Sequence, residues 1–186
     1  MNTQRVIFPL CFDRSTMMTA HVTIELVTLD DAEEIQQIAS HPDVVATTRL
    51  PDPYPENGAQ TWIKMLLPRQ KAGDEYAFAI RRAEDGKIVG VCGFVTVHKD
   101  QHLAEYGYWI GKPYWNHGYA TAAGRLAIEY ARKHIKLKKL FAHSLEQNPA
   151  SCRVLEKLGF EKKKKLRNSN DPHHGDAAIY VYEKTL

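Results

Sequence analysis

No stretch of this chain is apolar over anything near the roughly 20 residues a membrane-spanning helix needs, so no membrane partner is expected. Cysteine is scarce as well. Cys11, Cys92 and Cys152 are odd in number, far apart, and show no Cys-x-x-Cys or Cys/His ligand spacing. That excludes a disulfide framework and a cysteine-built metal centre, and it points to a reduced, cytoplasmic setting. Internal repeats and low-complexity linkers are missing, and 186 residues suffice for one domain with a sizeable core. Charge of one sign is also in short supply: the net charge of +3 suits an ordinary solvated surface and calls for no nucleic-acid partner. Much of the excess lies in Lys162–Lys165, which reads as a solvated strand edge or as a neighbour of a bound phosphate. Residues 1–18 hold a short apolar patch, Val6 to Leu10, without the cleavage site of a signal peptide. They are expected to form an extension to a domain spanning 19–186. Two readings of it stay open, a disordered segment and a start site at Met17 or Met18.

What is present is a regular alternation of periods. Strands are predicted at Val22–Val27, Tyr76–Arg81, Ile88–Val97, Ala104–Ile110, Lys139–Ser144, from Phe160 onward, and at Ala177–Glu183. A helix is predicted over Ala32–Ala39, capped by Asp30 and stopped by His41-Pro42. A second should run from Glu56 or Asn57 to Leu67 and end at Pro68, after a stiff loop carrying Pro51, Pro53 and Pro55. A third begins after Gly118, with Ala120, Ala123, Ala127, Tyr130 and Ala131 on one small apolar face. A fourth covers 150–158 and stops at Gly159. Asp85-Gly86 marks a hairpin, and Gly90 and Gly93 mark a bulge or a close backbone approach. The order β-α-α-β-β-β-α-β-α-β-β is that of a single mixed α/β domain with an antiparallel meander at its centre.

The segment Pro113–Thr121 carries the most chemistry. A strand, a short glycine loop and a helix N-terminus together make an anion site, because the first helical N–H groups lack partners and sit at the positive end of the dipole. Gly118 lets the backbone approach a phosphate closely. Tyr-Ala-Thr follows that glycine where a nucleoside-triphosphate loop would place a lysine, so such a site is not expected. Downstream lies a second signature, Asn148-Pro-Ala-Ser-Cys-Arg-Val-Leu-Glu-Lys-Leu-Gly-Phe160.

These segments, with Ala104–Ile110 and His41-Pro-Asp-Val44, resemble the GNAT superfamily of acyl-CoA-dependent N-acyltransferases. The nearest resemblance is to its ribosomal-protein N-terminal acetyltransferases, over residues 20–186. Residues 115–120 fit the superfamily's acyl-CoA loop with Trp115 first and Ala120 last, and Asn148-x-x-Ser151 fits the branch's second motif. One departure is Ala122-Ala123, where the branch commonly carries a Glu.

The resemblance implies a GNAT fold, α/β with a mixed, mostly antiparallel central sheet flanked by helices. It also implies acetyl-CoA as co-substrate and direct attack by a primary amine in a ternary complex. The donor would be held by Trp109, Ile110, Trp115, Asn116, His117, Gly118, Tyr119, Ala120, Thr121, Asn148 and Ser151, with its pantetheine arm along the strand ending at Ile110. Such a reaction needs a bound thioester, a neutral amine, a stabilised oxyanion and a proton for the leaving thiolate. Glu105 is the candidate base, its pKa expected to be raised among aromatics; positioning of the amine and a structural ion pair are its other readings. Ser151 is the candidate acid, or a helix cap together with Asn148. Tyr108 and Tyr114 are reserve proton donors or packing groups, and His117 and Arg125 are candidates for charge near the phosphates. His173-His174, with Asp171 and Asp176, reads as a polar loop, and no metal is expected. The acceptor implied is a protein N-terminus, entering a groove walled by Thr47–Tyr54, the helix bearing Trp62, and residues 168–176. The alternatives are a small amine (antibiotic, polyamine or amino sugar) and a non-catalytic acyl-CoA-binding module. Monomer and homodimer both remain open.

Overall fold

The computed structural model describes residues 22–167 and 177–186. The expectations for residues 1–18, for Cys11 and for the segment 168–176 fall outside them. The alternating segments form seven strands: β1 (Val22–Leu26), β2 (Tyr76–Arg82), β3 (Ile88–His98), β4 (Leu103–Ile110), β5 (Lys139–Leu145), β6 (Glu161–Arg167) and β7 (Ala178–Thr185). They lie in the order β1-β2-β3-β4-β5-β7-β6. Among the described residues, only β4 and β5 pair in parallel; every other neighbour is antiparallel.

The helices are α1 (Ala32–Ala39), α2 (Pro42–Val45), α3 (Gly58–Ala72), α4 (Tyr119–Tyr130) and α5 (Pro149–Lys157). Strand alternation sends successive side chains to opposite faces, and each face is covered by a different helix pair. On one face Phe78, Ile80, Phe94 and Tyr106 pack under Ala123, Leu126 and Ala127 of α4 and Leu155 of α5. On the other, Ala77, Ala79 and Val91 pack under Ile35 of α1 and Ala59, Ile63 and Leu66 of α3. The small face expected on α4 is the one that meets the sheet: Ala123, Ala127 and Ala131 are fully buried. Among the described residues, no helix is long and apolar enough to cross a membrane.

Two local expectations are corrected and a third is extended. Pro68 does not end the second helix, which runs on to Gly73 in the left-handed conformation (φ 78°). Pro68 lies on the exposed face together with Lys64, so the carbonyl it leaves unbonded is open to water. The last turn is anchored elsewhere, since the Gln70 side chain accepts from the Ala77 N–H (3.2 Å) and donates to the Val27 carbonyl (3.4 Å). Asp30 does not cap α1; Thr28 and Asp31 form a reciprocal capping box one turn earlier, with the Thr28 N–H donating to Asp31 at 2.7 Å. His41-Pro42 both stops α1 and starts α2, because Pro42 occupies the first turn, where its missing N–H costs nothing, and the His41 ring accepts from the Asp43 N–H. Lys162–Lys165 lies on the exposed edge strand β6, where Lys162 sits over the Tyr180 ring at 3.8 Å and Lys165 pairs with Glu146. Such a charged edge resists further strand pairing.

Candidate active site

The parallel pair at the middle of the sheet opens. β4 and β5 pair only from Leu103–Glu105 against Lys139–Phe141. Beyond that, β4 stays with β3 up to Ile110 while β5 stays with β7. A bulge in β3 between Phe94 and Thr96 lies opposite Glu105, at the level where the opening begins. Bulges bend a strand and increase its twist, which is the local cause available for the divergence. The side of β4 facing β5 from Tyr106 to Ile110 is therefore an open edge. Its amides and carbonyls can pair with an extended, amide-containing chain as with an added strand.

The loop that follows is folded back on that edge. The Trp115 indole donates to the Ile110 carbonyl at 2.7 Å, and the Lys112 ammonium lies over the same ring at 4.2 Å. Lys112 also pairs with Asp43 (2.6 Å), which ties α2 to the turn and holds that carboxyl below its usual pKa. Asn116 and Gly118 both have left-handed backbones (φ 64° and 78°), a conformation that Gly and Asn accept most readily. α4 then starts at Tyr119 without a side-chain cap, leaving its first N–H groups and the positive end of its dipole turned to the loop.

A cavity of about 400 Å³ is lined by Trp115, Asn116 and Gly118–Thr121 and reaches Arg153 and Lys157 of α5. These two cations stand four residues apart on one helix face. His117 and Arg125, the candidates for charge near the phosphates, do not line this cavity. The His117 ring instead meets the Trp115 carbonyl at 2.7 Å and stacks on Tyr119. Tyr114 packs against Arg82 and Tyr119 and also lines this cavity.

A second cavity, of about 300 Å³, lies where the strands part. Glu105, Gly107 and Trp109 of β4, Trp62 of α3 and the segment Thr47–Leu50 line it; of the walls expected for an acceptor groove, Trp62 and Thr47–Leu50 are here and residues 51–54 are not. Thr47, Thr48, Tyr108, Trp109, Asn148 and Ser151 line both cavities, so the two meet at these residues. There Asn148 caps α5 alone, its side-chain oxygen accepting from the Ser151 N–H at 3.0 Å. The Ser151 hydroxyl is not a cap: it accepts from the Tyr108 hydroxyl at 3.1 Å, across the opening. Burial pushes the Tyr108 phenol up to about 12, against the opposing effect of that bond.

Glu105 does not have the expected character. Burial alone would raise its pKa, but His143 Nδ1 at 2.8 Å and Arg49 Nη1 at 3.1 Å outweigh burial and hold the carboxyl below its usual value. It is an anchored carboxylate and not a proton-seeking acid among aromatics. Both partners, Arg49 and His143, went unnoticed in the sequence. So did Glu75, a buried residue lining the same cavity, paired with Arg69 at 3.0 Å. Burial raises the Glu75 carboxyl, and Arg69 only partly offsets it.

A family model described as an acetyltransferase (GNAT) domain matches residues 21–161. An uncharacterized N-acetyltransferase of Bacillus licheniformis, p20, is 28% identical over 153 residues, covering 82% of this chain and 86% of that protein. Among solved structures, the ribosomal-protein-S5-alanine acetyltransferase of Vibrio fischeri superposes with a TM-score of 0.80 at 19% identity, over 97% of this chain and 96% of that one. The spermidine N-acetyltransferase of Vibrio cholerae, solved with CoA and spermine, gives 0.77 at 16% identity, over 88% and 95%. At such identities the structural likeness is one of fold.

Proposed function

Because the chain belongs to the GNAT acetyltransferase family, and so is an acyltransferase with acetyl-CoA as donor, we propose that the junction of its two cavities is where an acetyl group passes to a primary amine. The observation that carries this reading is the open edge of β4 from Tyr106 to Ile110, bounded by an uncapped helix N-terminus on one side and a carboxylate-bearing cavity on the other. The loop at 115–121, with Arg153 and Lys157, would hold the pyrophosphate, and the open edge would hold the pantetheine arm. The bound thioester supplies an activated acetyl carbon. The N–H groups near Trp109 and Ile110 are the candidates for stabilising its oxygen. Ser151, backed by Tyr108, would donate a hydrogen bond to the charge developing on the leaving sulfur, and Glu105 would orient what enters from the acceptor side. A cytoplasmic setting is part of the same reading, supported by free, buried Cys92 and Cys152.

For the acceptor we favour the terminal amine of a polypeptide; the Vibrio fischeri protein is named for acetylation of an alanine of ribosomal protein S5. A second reading has its own support. Glu75 adds another carboxylate to a cavity that already holds Glu105, and Trp62 and Trp109 supply ring faces. Carboxylates and ring faces suit a polycationic amine of the kind bound in the spermidine enzyme. Release of CoA thiol from acetyl-CoA, measured with alanine- and serine-initiated peptides, with polyamines and without acceptor, tests both. Acceptor-dependent release is expected, and the better class of acceptor chooses between the readings. Tight acetyl-CoA binding with no release for any amine would favour a non-catalytic acyl-CoA-binding module.

A further inference from the structure

His143 sits on β5 just past the last residue that pairs with β4, at the start of the opening, and lines the acceptor cavity. Its Nδ1 lies 2.8 Å from Glu105 Oε1, and Arg49 Nη1 lies 3.1 Å from the same oxygen. An ionised carboxylate has no proton to donate, so the hydrogen between Glu105 and His143 belongs to Nδ1. In the neutral ring, Nε2 then carries the lone pair. The carboxylate itself is engaged by two donors and is poorly placed to accept a third proton. A carboxylate that fixes the tautomer of an imidazole, leaving the far nitrogen as proton acceptor, is an arrangement that unrelated folds use for acid–base work.

We propose that His143, oriented by Glu105, is the group that takes the proton from the incoming ammonium. This rests on the acetyl-transfer reading above. The ammonium gives one proton to His143 Nε2, and the freed nitrogen lone pair forms the bond to the acetyl carbon. The carbon–sulfur bond breaks while the Ser151–Tyr108 pair donates a hydrogen bond to the charge developing on sulfur. The leaving thiolate takes up the second proton, shed by the new amide nitrogen, and His143 returns the first to water, so one proton is released per acetyl transferred. Around the imidazole stand Glu105 and, through it, Arg49. The Phe141 ring stands edge-on at 5.6 Å, and the apolar Val181 lies opposite on β7. Glu75, which is paired with Arg69, is the other carboxylate lining the cavity. Strand alternation is why the group was missed: Phe141 and His143 point to the face opposite buried Leu140, Ala142 and Ser144, as any half-exposed strand residues would.

The test is the pH dependence of kcat/KM for His143→Gln, Glu105→Gln and the wild-type chain, with an amine the wild type accepts. It is joined to long-range proton–nitrogen NMR of the imidazoles in the free protein. Wild type should lose activity on the acid side as the ring becomes protonated. His143→Gln should lose about 10²–10⁴-fold at neutral pH, keep its acetyl-CoA affinity, show no such acid limb, and recover partly at high pH, where the amine is already neutral. The NMR spectrum should show His143 protonated at Nδ1, and Glu105→Gln should disturb that tautomer even if His143→Gln folds poorly. An unchanged acid limb with a rate within about threefold of wild type, or an Nε2-protonated ring, would overturn the assignment while leaving acetyl transfer intact. No thiol release from the wild type with any amine would sink the parent reading and the base together.

Discussion

Removing the Ser151 hydroxyl probes the point where the two cavities meet. The Tyr108 phenol, pushed up to about 12 by burial, stays neutral at physiological pH. A thiol of ordinary acidity titrates near 8.5, so outright transfer of the phenolic proton to a thiolate is uphill by roughly 5 kcal/mol. The hydroxyl pair is therefore better described as a donor to developing charge, with Ser151 making the contact and Tyr108 polarising it over 3.1 Å. A hydrogen bond to a charged group is worth about 1.5–3 kcal/mol, which sets the expected fall in single-turnover rate for Ser151→Ala at about 10- to 160-fold. Tyr108→Phe breaks a bond between neutral groups, worth about 1 kcal/mol, and should cost about fivefold. In the Ser151→Ala background the same change should cost nothing further, because the two act as one unit. Rapid-mix thiol release on the two single variants and the double variant is the assay. A Ser151→Ala rate within twofold of wild type, or costs that multiply in the double variant, would refute the relay.

Gly118→Ala places a side chain in a left-handed position (φ 78°), at a cost of about 1–2 kcal/mol; thermal melts should fall by about 2–8 °C, and calorimetry should find weaker acetyl-CoA binding. Asn148→Ala removes the lone side-chain cap of α5, about 1 kcal/mol, and should lower Tm by about 2–4 °C and slow turnover as Ser151 loses its fixed position. Glu75 has a folded pKa raised by burial, so its contribution to stability is present at low pH and lost as pH rises through that value. Glu75→Gln should therefore melt higher than wild type at pH 7, with the difference vanishing in acid, while its KM for a polycationic acceptor rises.

Much of this was legible in the sequence. The strands announced themselves by period two, α4 by its alanine face, and the donor loop by Gly118 and the helix behind it. The motif at 148–160 was also recognisable, though it left open whether Ser151 caps the helix or meets another group. Local sequence carries what is decided locally. Pro68 was misread because the turn that rescues its helix depends on Gln70 reaching Val27 and Ala77. The character of Glu105 was misread for the same reason. Arg49 and His143 stand 56 and 38 residues away in sequence, and a partner delivered by sheet topology leaves no trace near the residue it neutralises. The opening between β4 and β5 belongs to no segment at all, since it depends on how far two strands pair.

That opening is the centre of the account, and amide hydrogen exchange with and without acetyl-CoA tests it most directly. Bound donor should slow exchange at Tyr108 and Ile110, whose amides face the open edge because those of Gly111 and Trp109 face β3, and at Tyr119–Thr121 at the start of α4, while β6 remains unchanged. Acetyl-CoA that binds without protecting those amides, or protects a different surface, would contradict the placement of the donor and the direction of transfer built on it.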